Sequence, residues 1–82
     1  MTDKRISDAR FYNELGCNIR LAREAAERSQ SDVALHLKVK VQQVQNYEEG
    51  TDRIPVDRLI ALSKYLDIPL YCFFDFLQLP TD

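Results

Sequence analysis

The chain has 82 residues, of which 29% are charged and 45% apolar, and its formal net charge is −2. That length gives one domain with a core only marginally able to stabilise itself, and the composition excludes both a disordered chain and a membrane-spanning one. No apolar stretch approaches the roughly 18 residues a spanning helix needs, and the charged start carries no apolar signal core, so the expected location is cytoplasmic.

Only two glycines interrupt the chain, and no alternating run bounded by turn signals supports a strand, so helices dominate the expected structure. Across residues 8–28, Phe11, Leu15, Ile19, Ala22 and Ala26 recur at spacings of three and four and form one apolar stripe on a long first helix, with Ser7 or Asp8 as its cap. Ser29, with Asp32 three residues on, has the form of a capping box that opens a second helix ending near Leu37. A third helix is expected over residues 41–49 and stops at Gly50, whose freedom to take positive φ lets the chain turn away. Pro55 is placed as the first residue of a fourth helix carrying Leu59, Ile60, Leu62, Ser63 and Leu66, and Pro69 opens a fifth bearing Leu70, Phe73, Phe74 and Leu77.

Residues 30–49 are the informative stretch. Val33, Ala34, Leu37, Val39, Val44 and Tyr47 fit the buried positions of two short helices crossed at a tight turn, with Ala34 small where the helices nearly touch. That register leaves Lys40, Val41, Gln42, Gln43, Gln45 and Asn46 outside. A rod presenting amides suits a DNA groove, because Gln and Asn pair bidentately with adenine edges and Val41 can cover a thymine methyl.

These residues resemble the Cro and phage-repressor type of helix-turn-helix regulator, also called xenobiotic-response-element type. The resemblance covers residues 15–74 and rests on Ile19, Arg20 and Arg23, Ser29 and Gln30, Ala34, Val39, Val44, Tyr47 and Glu48 with Gly50, then Pro55, Leu59, Leu62, Leu66, Ile68 and Phe74. It implies an all-α, five-helix, lambda-repressor-like bundle in which residues 1–82 form a single DNA-binding domain, residues 1–7 flexible and 78–82 a tail. The implied function is a sequence-specific transcriptional regulator that binds a palindromic operator on double-stranded DNA as a homodimer, third helix in the major groove. An alternative on the same bundle is a protein-binding module with little DNA affinity, to which the acidic net charge and Glu49 point. Phage repressor, antitoxin-like autoregulator and restriction-modification controller all fit.

Carried over by position, Val41, Gln42, Gln43 and Asn46 are the base-reading residues, while Gln30, Lys40 and Arg53 meet phosphate. Arg23 and Glu48 form a structural salt bridge between the first and third helices. Three residues depart from the family pattern: Lys38 at a turn position that usually holds glycine, Lys40 where Ser or Thr caps the third helix, and Arg28 in place of an aliphatic residue. The first implies a left-handed residue at a cost of about 1 kcal/mol, and the second the loss of a cap of about 1 kcal/mol.

The charge distribution tempers this expectation. Lys4, Arg5, Arg10, Arg20, Arg23 and Arg28 dominate the basic count before the central motif, and Asp67, Asp75 and Asp82 load the far end with acid. Over residues 38–58 the cations Lys38, Lys40, Arg53 and Arg58 are cancelled by Glu48, Glu49, Asp52 and Asp57, so weak non-specific binding is expected. Tyr71, Phe76 and Leu79 exceed what so small a domain can cover and are the expected dimer contact, which would set two recognition helices about 34 Å apart. His36 is expected as an exposed polar residue. Cys17 and Cys72 lack metal-ligand spacing and are expected as reduced, small core hydrophobes. No cofactor, metal, small-molecule effector or enzymatic activity is expected, since no nucleophile–base pair or glycine-rich phosphate loop is present. Lys4 and Arg5 suit a minor-groove arm only if ordered.

Overall fold

The computed structural model describes residues 7–77. It contains four α-helices, α1 Asp8–Ala25, α2 Gln30–Leu37, α3 Val41–Glu49 and α4 Val56–Leu66, followed by a 3-10 turn over Leu70–Phe74. No strand occurs among the described residues. The fifth helix expected after Pro69 is therefore a 3-10 turn, and Pro55 is the N-cap of α4 rather than its first helical residue. Of the two expected caps, Ser7 caps α1, accepting from the Arg10 amide at 3.2 Å, and is thus the ordered end of the stretch 1–7 expected to be flexible. Leu79, Lys4, Arg5 and the 78–82 tail lie outside the described residues.

All four helices end in one way. Glu27, Lys38, Gly50 and Asp67 adopt left-handed φ values of 57°, 61°, 78° and 57°. The next amide then reaches back to a carbonyl five residues earlier: Arg28 to Arg23, Val39 to Ala34, Thr51 to Asn46 and Ile68 to Ser63, all between 3.0 and 3.1 Å. This arrangement satisfies carbonyls that the helix end would otherwise leave bare. Three of the four left-handed residues carry a side chain, at a cost of about 1–2 kcal/mol each. After Lys38 and Asp67 the following residues, Val39 and Ile68, pack against the core and offset part of that cost.

The core comprises Leu15, Ile19, Val33, Ala34, Val44, Tyr47, Ile54, Leu59, Leu62, Leu66 and Phe73. It lies where α1 crosses α3 and where α2 and α4 close over the crossing. Both glycines sit at that crossing. A Cβ on Gly16 would press into the backbone carbonyls of Glu48 and Tyr47, the latter at 2.5 Å, and one on Gly50 would lie 2.8 Å from the Tyr12 carbonyl oxygen. The two helices thus approach backbone to backbone, which fixes the angle at which α3 leaves the bundle.

The 3-10 turn is tied to α1. Asn18 donates its side-chain amide to the Phe73 carbonyl at 2.9 Å and to Asp75 Oδ1 at 2.8 Å, and Phe73 is fully buried. The Phe11 ring meets both Phe74, at 6.2 Å between centroids, and Phe76, edge-on at 5.5 Å. Residues two apart on a continued helix would point in opposite directions, so the chain must leave helical geometry for both rings to reach Phe11. Cys17 and Cys72 are free and half-buried rather than fully enclosed. No described helix is long and apolar enough to cross a membrane.

Candidate nucleic-acid interface

The structural side of α3 is anchored by ions. Arg23 Nε donates to Glu48 Oε2 at 2.6 Å and its Nη2 to Glu48 Oε1 at 3.0 Å, with side chains only 11% and 3% exposed. Arg23 also donates to the Arg28 carbonyl at 2.9 Å, joining the end of α1 to α3. Donation to the Glu48 carboxylate raises the Arg23 pKa above its ordinary value, against the lowering effect of burial. Gln30 completes the cluster, donating from Nε2 to Glu48 Oε1 at 2.9 Å.

That last contact gives Gln30 a structural partner in addition to the phosphate expected for it: one N–H of its half-exposed side chain is held by Glu48. At the same helix start, Ser29 and Asp32 form the full capping box: the Asp32 amide donates to Ser29 Oγ and the Ser29 amide to Asp32 Oδ2, both at 2.9 Å. The amide of Ser29, followed by its hydroxyl, lowers the Asp32 pKa.

The other side of α3 faces outward. Val41, Gln42 and Glu49 are exposed, and Gln43, Gln45 and Asn46 are half-exposed. Lys40 is the N-cap of α3, extended at φ −79° and ψ 153°, and makes no side-chain capping bond; its ammonium is free to reach away from the helix. Lys40, Gln42, Gln43, Asn46 and Val39 line one concavity together with Arg58 of α4. Arg58 Nη1 donates to the Tyr47 hydroxyl at 2.7 Å, so a buried ring of α3 fixes this cation beside the amides. Sequence spacing gave no sign of it, because Arg58 is separated from the motif by a loop and enters the site only through Tyr47.

Arg53 lies beyond the other end of α3. It pairs with Asp8 at 3.1 Å, with side chains 68% and 83% exposed, and stands over the Tyr12 ring at 5.1 Å. An exposed pair of this kind contributes about 0–1 kcal/mol, so a phosphate could displace Asp8 at small cost. An α-helix with its side chains is about 10–12 Å across, a diameter that the roughly 12 Å width of the major groove admits.

The loop after α3 brings in an acid. The Asn46 carbonyl accepts from the Thr51 amide at 3.0 Å, the Asp52 amide at 3.3 Å and the Thr51 hydroxyl at 3.3 Å. Wrapped in this way, the loop sets Asp52 Oδ2 at 3.0 Å from Gln43 Nε2 and 3.2 Å from Asn46 Nδ2, while Gln42 Nε2 donates to Asn46 Oδ1 at 3.0 Å.

The expected dimer residues are divided. Tyr71 is 73% exposed, with Leu70 also open beside it. Phe76, expected at the same contact, is half-buried against Phe11 within the chain. His36 is exposed but stacks on Tyr65 at 4.1 Å between centroids, a contact its position in the sequence did not suggest. Among the described residues no cluster of three His, Cys, Asp or Glu side chains is placed to hold a metal ion.

Two short helices, α2 and α3, joined by the tight turn at residues 38–40, with the outer face of the second left open, have the form of a helix-turn-helix. A family model described as helix-turn-helix matches residues 19–71, and the chain belongs to this family, in its Cro and phage-repressor branch. It is 38% identical over 61 residues to an HTH-type transcriptional regulator of Sinorhizobium medicae, covering 74% of this chain and 44% of that protein. It is 36% identical over 64 residues to a transcriptional regulator in the ATPase CF(0) region of Rhodospirillum rubrum, covering 78% and 59%. The chain thus spans about half the length of the curated relatives it matches. The restriction-modification controller protein C.AhdI of Aeromonas hydrophila has the same fold, with a TM-score of 0.71 at 24% identity over 77% of this chain and 96% of that one.

Proposed function

We propose that the chain is a sequence-specific DNA-binding transcriptional regulator that occupies a palindromic operator as a homodimer, with α3 in the major groove. The observation that carries this is the solvent-facing amide face of α3, with Lys40 and Arg58 lining the same concavity and Arg53 in the loop beyond its other end. Phosphate contacts from such cations set register and base contacts set sequence. Val41, Gln42, Gln43 and Asn46 are the proposed base-reading residues. Gln30, Lys40, Arg53 and Arg58 are the proposed phosphate contacts, with Gln30 also held by Glu48. The family match and the names of the relatives support the same function. Tyr71 is the proposed centre of the dimer contact, in line with its exposure.

Selection from random duplexes followed by a salt titration tests this function. A recovered palindrome and a steep salt slope support it; no enrichment together with flat salt dependence refutes it in favour of a protein-binding module. Gln42→Ala should change the preferred base, whereas Arg53→Ala should weaken all sequences alike and lower the salt slope by about one. Sedimentation at micromolar concentration should show a dimer that Tyr71→Asp dissociates, and a monomer in both would remove the proposed contact.

A further inference from the structure

Asp52 is a carboxylate on the surface that, in the proposed complex, faces a polyanion. Affinity alone would select against it, since a negative charge there opposes every phosphate regardless of sequence. Its geometry shows what it supplies instead. One oxygen accepts from two amides, Gln43 at 3.0 Å and Asn46 at 3.2 Å, and through Asn46 it links to Gln42. The loop that carries it is held by three donors on the Asn46 carbonyl, so the carboxylate is placed by backbone rather than by a flexible stem.

A carboxylate only accepts. It can therefore hold the NH2 end of a side-chain amide and never the oxygen, which removes the rotational ambiguity of Gln43. Adenine presents one acceptor and one donor in the major groove, N7 and the N6 amino group, whereas guanine presents two acceptors, N7 and O6. An amide that gives one N–H to Asp52 keeps its oxygen and one N–H, the pair adenine needs. It no longer has the two free N–H donors that guanine would take.

We propose that Asp52 is a positioning residue for specificity, holding Gln43 in the orientation that accepts adenine and refuses guanine, at the expense of overall DNA affinity. This rests on α3 reading DNA. It makes Asp52 act through Gln43 and Asn46 rather than by touching a base.

Two variants at Asp52 and a control elsewhere separate position from charge. Asp52→Asn removes the charge and places an NH2 donor beside its acceptor oxygen, so it can meet either end of the Gln43 amide; Asp52→Ala removes every acceptor. Both should bind non-specific duplex more tightly than the parent. Both should also lose adenine-over-guanine preference at the base facing Gln43, Asp52→Ala by about tenfold, whereas the control Asp57→Asn, which removes an exposed acid of the first turn of α4, should keep the parent's ratio. A ratio in Asp52→Ala within about twofold of the parent, or an equal loss in Asp57→Asn, overturns the proposal. The side-chain NH2 resonances of Gln43 and Asn46 give a readout without DNA. They should shift in Asp52→Ala, and unmoved resonances would show that Asp52 holds neither amide. If the parent protein selects no sequence, the regulatory function itself fails, an outcome visible before any variant is made.

Discussion

The two faces of α3 are built on opposite rules. Toward α1, contact is backbone to backbone: two glycines sit where a Cβ has no room, and a doubly hydrogen-bonded ion pair is almost wholly shielded from water. Toward solvent, contact is amide to carboxylate through side chains that all remain accessible. The inner face fixes where the helix points and tolerates neither a Cβ at its glycines nor a charge left without its partner. The outer face can be rewritten residue by residue with little effect on the fold, so a single bundle can serve many sequence preferences. The largest expected effects therefore belong to the inner face and the largest specificity effects to the outer.

The sharpest way to break this contrast is Glu48→Ala. It leaves the Arg23 guanidinium buried without its partner, and such a loss costs about 3–5 kcal/mol, a large part of the about 5–15 kcal/mol available to a small domain. Chemical denaturation should show that loss, and the double variant Arg23→Leu with Glu48→Leu should recover most of it, because two apolar side chains leave no charge stranded. A cost below about 1 kcal/mol for Glu48→Ala would place the pair among ordinary surface ion pairs.

Gly16→Ala tests the backbone approach. Helix propensity alone favours alanine over glycine by about 1 kcal/mol, whereas forcing a methyl against the Tyr47 and Glu48 carbonyls costs about 1–3 kcal/mol. A net destabilisation means that crowding outweighs propensity. Gln43→Ala on the outer face should change stability by no more than about 0.5 kcal/mol. If Gly16→Ala stabilises the protein, the helices have room to separate and the inner face is softer than its geometry implies.

Those two faces were not equally legible from sequence. The outer positions of α3 followed directly from the apolar register of Val33, Leu37, Val44 and Tyr47, since residues left over by a buried stripe must face away. The capping box at Ser29 and the stop at Gly50 were legible because each depends on chemistry within a few residues. Gly16 was not, because nothing local marks a glycine inside a helix as a crossing point. Gln30 and Asp52 escaped for a related reason. Their partners Glu48 and Gln43 lie eighteen and nine residues away, beyond any helical spacing, and only the assembled turn brings them into reach. The 3-10 turn was mistaken for a helix because Pro69 announces a start equally well for both, and the convergence of Phe74 and Phe76 on Phe11 is a tertiary demand.

Lys40 lies at the seam between the two faces, and Lys40→Ser should move them in opposite directions. A serine at this N-cap can accept from the unpaired amides of the first turn and should add about 1 kcal/mol of stability. The same change removes a cation from the proposed phosphate contacts and should lower the salt slope of DNA binding by about one. Denaturation and a salt titration on one sample would show both. Stability and affinity falling together would mean that Lys40 packs on the bundle instead of reaching outward.

The smallest effect concerns the capping box of α2. The Ser29 amide and hydroxyl bind the charged form of Asp32, so its folded pKa lies below that of the unfolded chain. For a depressed acid the stabilising contribution is fully present above the unfolded pKa and fades as pH falls through the folded one. The stability difference between the parent and Asp32→Asn should hold steady from neutral pH down to the ordinary carboxylate range and then close on further acidification. Subtracting the variant removes the titration of the other acids. Proton resonances of Asp32 should titrate below the ordinary aspartate range. A difference that persists unchanged into strong acid would assign the effect to helix propensity rather than to charge.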